Sequence, residues 1–162
     1  MPKIIKDAQV VDDEWTILEA DEFNERSITA YSILPVAIWN KQRDELQSRD
    51  DIGVWLETSD AIDDIEGDIR ALPVIAIRFR SFADGRGFSI ARLLRERYGY
   101  TGELRAIDGP IRDQLDYLRR CGFNAFSLLA HYDLTDSLSS LNDFSENYQS
   151  SAHQEAPLFR RR

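Results

Sequence analysis

The residues best suited to chemistry gather in two short stretches. In Arg80-Ser81-Phe82-Ala83-Asp84-Gly85-Arg86-Gly87-Phe88-Ser89, two closely spaced glycines sit beside an aspartate and an arginine. Glycines let backbone amides approach an anion, and a helix starting just beyond them adds the positive end of its dipole. Gly85, Arg86, Gly87, Ser89 and, further along that helix, Arg92 are therefore candidate ligand-binding residues, with Asp84 as a candidate acid or base. The second stretch is Arg105-Ala106-Ile107-Asp108-Gly109-Pro110-Ile111-Arg112-Asp113-Gln114. It adds Arg105, Arg112, Asp113 and Gln114 as ligand contacts and Asp108 as a second candidate acid or base. Guanidinium groups hold oxyanions through paired coplanar donors, so the two stretches together suit a small oxyanion or an acidic partner. The competing reading is a glycine turn closed by an Asp84 to Arg86 or Asp84 to Ser89 hydrogen bond, with the arginines in surface ion pairs.

Other chemistries are disfavoured by what the stretches lack. Gly85-Arg86-Gly87-Phe88-Ser89-Ile90 fails the dinucleotide fingerprint because Ile90 stands where a third small residue belongs, although Asp108 imitates the ribose-binding acid. No glycine-lysine-serine or threonine follows, so the loop is not of the Walker type. His131 and His153 are far apart and lack metal-ligand spacing, and Cys121 alone cannot hold an iron-sulfur cluster. No metal and no evident cofactor are expected, and a redox role would require a bound flavin or nicotinamide. No nucleophile elbow orders a serine for acyl transfer. Cys121 reads as a small buried residue at a helix end. Phe82 and Phe88 flank the glycine loop, where they either cover a ligand or pin the loop to the core.

Both stretches fall at strand-to-helix junctions. Five apolar runs read as strands: Tyr31 to Leu34, Ile52 to Leu56, Pro73 to Phe79, Glu103 to Ile107 and Ala125 to Leu129, the third being the most continuously apolar and hence central. Helices are predicted from Pro35 to Arg49, Ala61 to Leu72, Ser89 to Tyr98, after Asp108-Gly109-Pro110, and near Asp133 to Leu141, with Gly99 and Gly122 as stops. This alternation predicts an α/β fold with a mainly parallel five-stranded sheet and helices on both faces. The alternative is half of a β/α barrel, because periodicity does not tell on which face each helix lies. Residues 1–30 read as a small β element, a hairpin around Lys6-Asp7-Ala8 followed by an edge strand through Trp15 to Leu18. One domain over 1–148, with βα repeats from 31, is followed by a mobile tail over 149–162. Right-handed crossovers bring consecutive strand ends to one edge, so Arg86 and Arg105 are expected to share a site.

The composition places few further limits. The 43% hydrophobic fraction is that of a folded globular protein, and the net charge of −9 disfavours nonspecific attraction to nucleic acid or anionic lipid. A single cysteine, no signal-like apolar run and no membrane-length segment point to the cytoplasm.

The run FRSFADGRGFSIARLLRERYGYTGELRAIDGPIRDQLDYLRRCGFNAF, with KIIKDAQVVDDEW near the start and LNDFSENYQ near the end, resembles a bacterial family of unknown biochemical function whose genes are associated with assimilatory sulfate and sulfite reduction. Members are described as oxidoreductases involved in sulfite reduction. No catalytic residue comes with the resemblance. It implies an accessory protein of assimilatory sulfite reduction that binds sulfite reductase, another sulfur-assimilation enzyme or a small oxyanion. The alternative is an enzyme, including an oxidoreductase, acting on a small anionic metabolite.

Overall fold

The fold is that of a computed structural model, which describes residues 1–21, 28–81, 84–110 and 112–141. Eight strands form one sheet: β1 (Lys3–Lys6), β2 (Gln9–Asp12), β3 (Thr16–Ile17), β4 (Ser32–Pro35), β5 (Ile52–Glu57), β6 (Val74–Arg78), β7 (Glu103–Ile107) and β8 (Ala125–Phe126). Their order is β2-β1-β8-β7-β6-β5-β4-β3. From β3 to β8 every neighbour is parallel, whereas β1 runs antiparallel to both β2 and β8. Every residue of β6 and β7 is buried, which explains the almost continuously apolar β6; β7 alternates, with Glu103 and Arg105 buried as an ionic pair.

Strands β3 to β8 lie beside one another in chain order, so each crossover steps the same way. Right-handed crossovers that all step one way place their helices on one face, and the sheet curls as a half-barrel. The helices are α1 (Val36–Lys41), α2 (Arg43–Leu46), α3 (Arg86–Glu96), α4 (Leu115–Cys121) and α5 (Leu134–Ser140). The larger core joins Ile75, Ile77, Leu104 and Ala106 to Trp39, Leu94 and Leu118 from the helices. On the opposite, inner face a smaller cluster of Ile33, Trp55, Val74, Ala76 and Ile107 is covered by Trp15 and Ile17. The half-barrel alternative is therefore the form the fold takes, with helices on one face instead of two. The sheet has eight strands instead of five because the N-terminal hairpin and β3 join its two edges.

Asp13 to Trp15 link β2 to β3, which lie at opposite edges of the sheet. Four residue steps reach about 14 Å at full extension, while seven interstrand spacings would hold the edges of a flat sheet roughly 34 Å apart. The connection is possible only because the sheet curls. The same segment alternates, placing Asp13, Trp15, Ile17 and Glu19 toward the inner face, where the apolar pair packs and the acids meet arginines.

Some local elements differ from expectation. The helix predicted over Ala61 to Leu72 is a 3-10 turn at Ile62–Ile65 followed by further turns. Gly67 weakens helix propensity there, and Asp68 is drawn to the Trp39 indole N–H and the Arg43 guanidinium, although Ile62, Ile65 and Ile69 still bury. The segment from Pro35 splits at Gln42 into α1 and α2. The helix expected directly after Asp108-Gly109-Pro110 starts later: Asp108 takes a left-handed backbone (φ 65°), and a 3-10 turn at Arg112–Gln114 precedes α4. Gly99 and Gly122 are left-handed, as their stop positions require. The tail expected over 149–162, Phe82 and Ile111 lie outside the described residues. Among the described residues, no helix is long and apolar enough to cross a membrane.

Candidate binding site at the strand ends

In parallel α/β sheets, ligands meet the protein at the C-terminal ends of the strands. Here those ends carry charge. Glu57 closes β5 and is the direct ladder partner of Arg78, which closes β6 beside Ile107 of β7; Asp108 follows at once. The Arg78 side chain is only 3% exposed, and its guanidinium lies 4.0 Å over the Trp55 ring. Its two terminal nitrogens donate to the two carboxylate oxygens of Glu19, at 2.8 and 2.5 Å. Nε lies against Asp108 Oδ2 without the alignment of a hydrogen bond, and Glu57 is 3.9 Å from Nη1. Beyond the strand, the largely exposed Arg80 donates to both oxygens of Glu57. Hydrogen bonds from Arg78 hold the Glu19 carboxyl below its ordinary value, against the effect of burial.

A second unit sits on the helix side of the same edge. Asp84 accepts from Arg86 Nε, Nη2 and backbone N–H and from the Thr58 hydroxyl. These donors, Arg86 first, hold its carboxyl well below the usual carboxylate range. An acid so firmly ionised is poorly matched to proton transfer near neutral pH. Because the folded-state value is depressed, the stabilising contribution of this clamp is present above the unfolded aspartate value of about 3.9 and fades as pH falls. In a carboxyl NMR titration, Asp84 should show a midpoint below about 3.9; an ordinary midpoint would mean that the clamp does not persist in solution.

The expected site residues divide. Arg86 and Ser89 line a groove of about 370 Å³ with Thr58, Asp60, Leu93 and Tyr98. Gly85 is exposed at the start of α3, while Gly87 is buried against Phe79. Arg92 points outward and pairs with Glu96 one turn on. Arg112 donates to the Ser140 and Ser139 hydroxyls, Asp113 is exposed and Gln114 half-buried. Phe88 stacks on Phe79 and Tyr117, so it is pinned to the core. The Asp84 to Arg86 hydrogen bond of the glycine-turn reading is present.

Arg105 does not join Arg86. Within β7, Glu103, Arg105 and Ile107 face the inside of the curled sheet while Leu104 and Ala106 face the helices, so Arg86 at the start of α3 lies on the other face. Arg105 is fully buried, donates to both oxygens of Asp13 at 2.7 and 3.0 Å, and bonds Glu103, whose second oxygen meets Lys6 at 2.7 Å. Arg86 and Arg105 thus lie on opposite faces, and the charge at the strand ends is a rim of Arg78, Arg80, Glu57 and Asp108. Arg78, Arg80, Glu57 and Glu19 are not among the residues expected from the sequence. The available signal was an arginine closing an otherwise apolar strand and two acids framing the alternating Trp15 and Ile17.

Cys121 is buried, and burial pushes its thiol up, away from thiolate chemistry. Among the described residues, no group of three or more histidine, cysteine, aspartate or glutamate side chains is placed to hold a metal ion.

A half-barrel sheet with its helices on one face and an arginine-carboxylate rim at its strand ends defines an α/β protein with a candidate binding edge. Residues 53–159 match a family described as bacterial protein of unknown function (DUF934), and the chain belongs to that family. The matched region includes Glu57, Arg78, Arg80, Asp84 and Asp108, whereas Asp13 and Glu19 precede it. No curated protein matches the chain.

Proposed function

We propose that the protein is a cytoplasmic accessory component of assimilatory sulfite reduction, binding a partner enzyme such as sulfite reductase, or a small oxyanion, at the rim formed by Arg78, Arg80, Glu57 and Asp108. The observation carrying the binding role is Arg78, a buried guanidinium stacked on Trp55 and aimed at the edge where α/β sheets take ligands. The link to sulfur assimilation rests on the sequence resemblance. An accessory role is preferred over catalysis because Asp84 is held ionised and the Cys121 thiol is buried, leaving neither poised for proton transfer or nucleophilic attack. The enzyme reading has one observation in its favour: Asp108 combines a left-handed backbone with a half-exposed carboxylate beside Arg78, and strained positions gather at functional sites.

Surface plasmon resonance with purified sulfite reductase, together with calorimetry using sulfite and phosphate, tests the proposal. Saturable binding that weakens about tenfold on Arg80→Glu is expected, as for loss of one charge-assisted contact. If neither the enzyme nor either anion binds, the proposal fails. The visible spectrum of the purified protein should be featureless; a stoichiometric chromophore would favour direct electron transfer by the chain.

A further inference from the structure

Taking the rim as the oxyanion or acidic-partner site proposed above, we infer that Glu19 is a built-in stand-in for the ligand. An anion presenting two oxygens in the manner of a carboxylate displaces Glu19 from Arg78. The partners of Arg78 are of two kinds. Trp55, Glu57 and Asp108 belong to the ends of β5 and β7 or the residue just beyond, and their positions are set by a continuous ladder of backbone pairs. Glu19 instead follows the two-residue edge strand β3, and its side chain is 42% exposed. Yet it occupies both terminal nitrogens of the guanidinium in the fork-to-fork arrangement through which arginine recognises free carboxylates and phosphates. The backbone beside it is independently tied, because Leu18 C=O accepts the Trp55 indole N–H at 2.9 Å. Rotation of the Glu19 side chain therefore uncovers Arg78 without releasing the strand.

The local charge favours exchange over addition. Arg78 and Arg80 balance Glu57 and Asp108, and Glu19 brings one further negative charge to the rim. A singly charged anion that replaces Glu19 leaves this count unchanged, whereas one that binds beside it brings a fourth anion against two cations. The guanidinium stays fixed by the Trp55 ring and Asp108 throughout, so the exchanged group meets a preorganised donor pair. Arg105 provides the internal contrast. It is gripped by Asp13 in the same paired manner, but Asp13 and Glu103 are 10% and 5% exposed against 42% for Glu19, so its carboxylates have far less room to swing away.

The test uses the full chain, calorimetry with acetate, sulfite and phosphate as free anions, and a tetraglutamate peptide as the acidic partner segment. Glu19→Gln should lower the dissociation constant of the bound probe about tenfold, the gain expected when Arg78 is free in about one tenth of molecules. In the wild-type protein, saturation with that probe should raise the Glu19 carboxyl titration toward the ordinary glutamate value of about 4.3, a readout that needs no variant. Response to a free anion identifies a small-molecule ligand, and response to the peptide alone identifies a partner's carboxylates; either supports the exchange. If a probe binds but Glu19→Gln leaves or weakens its affinity and the Glu19 titration does not move, the exchange is overturned while the rim remains a binding site. If no probe binds either protein, both the exchange and the oxyanion reading of the rim fail.

Discussion

Replacing Arg105 with glutamine is expected to cost about 3 to 5 kcal/mol of folding stability, the range for breaking a buried ion pair by removing one partner. Its guanidinium is fully buried and balances Asp13 and Glu103, both nearly inaccessible. Without it the two carboxylates remain inside the curled sheet, with Lys6 as the cation left on Glu103. The cost comes mainly from stranding those charges: a buried ionic network is weak evidence for stability in itself, but breaking one leaves an uncompensated charge. The double variant Arg105→Gln, Asp13→Asn should therefore recover part of the loss, which a double-mutant cycle on urea midpoints measures. A loss below about 1 kcal/mol for Arg105→Gln, the level of an exposed pair, would show that water reaches the cluster. Any loss of ligand or partner binding by this variant has to be judged after its stability, because Arg105 holds the N-terminal segment against the sheet.

The second large effect is expected at glycines whose role lies in packing. A Cβ on Gly109 would sit 2.1 Å from the Phe79 carbonyl oxygen and 2.7 Å from the Phe79 Cβ. These contacts are the backbone and Cβ of Phe79, which cannot turn aside as the far end of a flexible side chain would, so Gly109→Ala should cost on the order of 3 kcal/mol. On Gly87 the added carbon meets the Phe79 ring edge at 2.5 and 2.6 Å. That ring is wedged between Phe88 and Phe123, and a loss of about 1 to 3 kcal/mol is expected. A Cβ on Gly85 meets nothing within 4 Å, so its alanine variant should stay within about 0.5 kcal/mol of wild type. Thermal midpoints of the three variants decide the matter: equal losses, or none at Gly109, would overturn this account. The glycines of the two chemically suggestive stretches thus divide, and two of them let chain segments close on Phe79.

These cases show how far the sequence could be read and where it stopped. Strand β7 is found at Glu103 to Ile107 as expected, because its apolar run is bounded on both sides by turn residues. The hairpin and the edge strand near Trp15 were legible from their alternation. What could not be read was the direction of Arg105. The alternation in Glu103-Leu104-Arg105-Ala106 sets Arg105 on the face opposite Leu104 and Ala106. Yet an arginine on a fully buried strand reads as a rim residue until its inner-face partners Asp13 and Glu103 are seen, and that change of face separates Arg105 from Arg86. Right-handed crossovers bring the strand ends to one edge but do not set side-chain direction. Arg78 was missed for the related reason that, in the most apolar strand, an arginine reads as an interruption until Glu19, distant in sequence, is seen to meet it.

The position of the hairpin has a consequence for how the protein is made. Strand β1 pairs Ile5 with Phe126, so during synthesis β1 must wait for β8, more than a hundred residues further along the chain, to emerge. Contacts of such large sequence separation form late, and until then the β1 edge that faces β8 has no strand to pair with. A nascent chain halted before Ala125 holds the parallel strands from β3 to β7 but lacks the strand on which the hairpin closes, so the sheet is completed only after β8 has emerged.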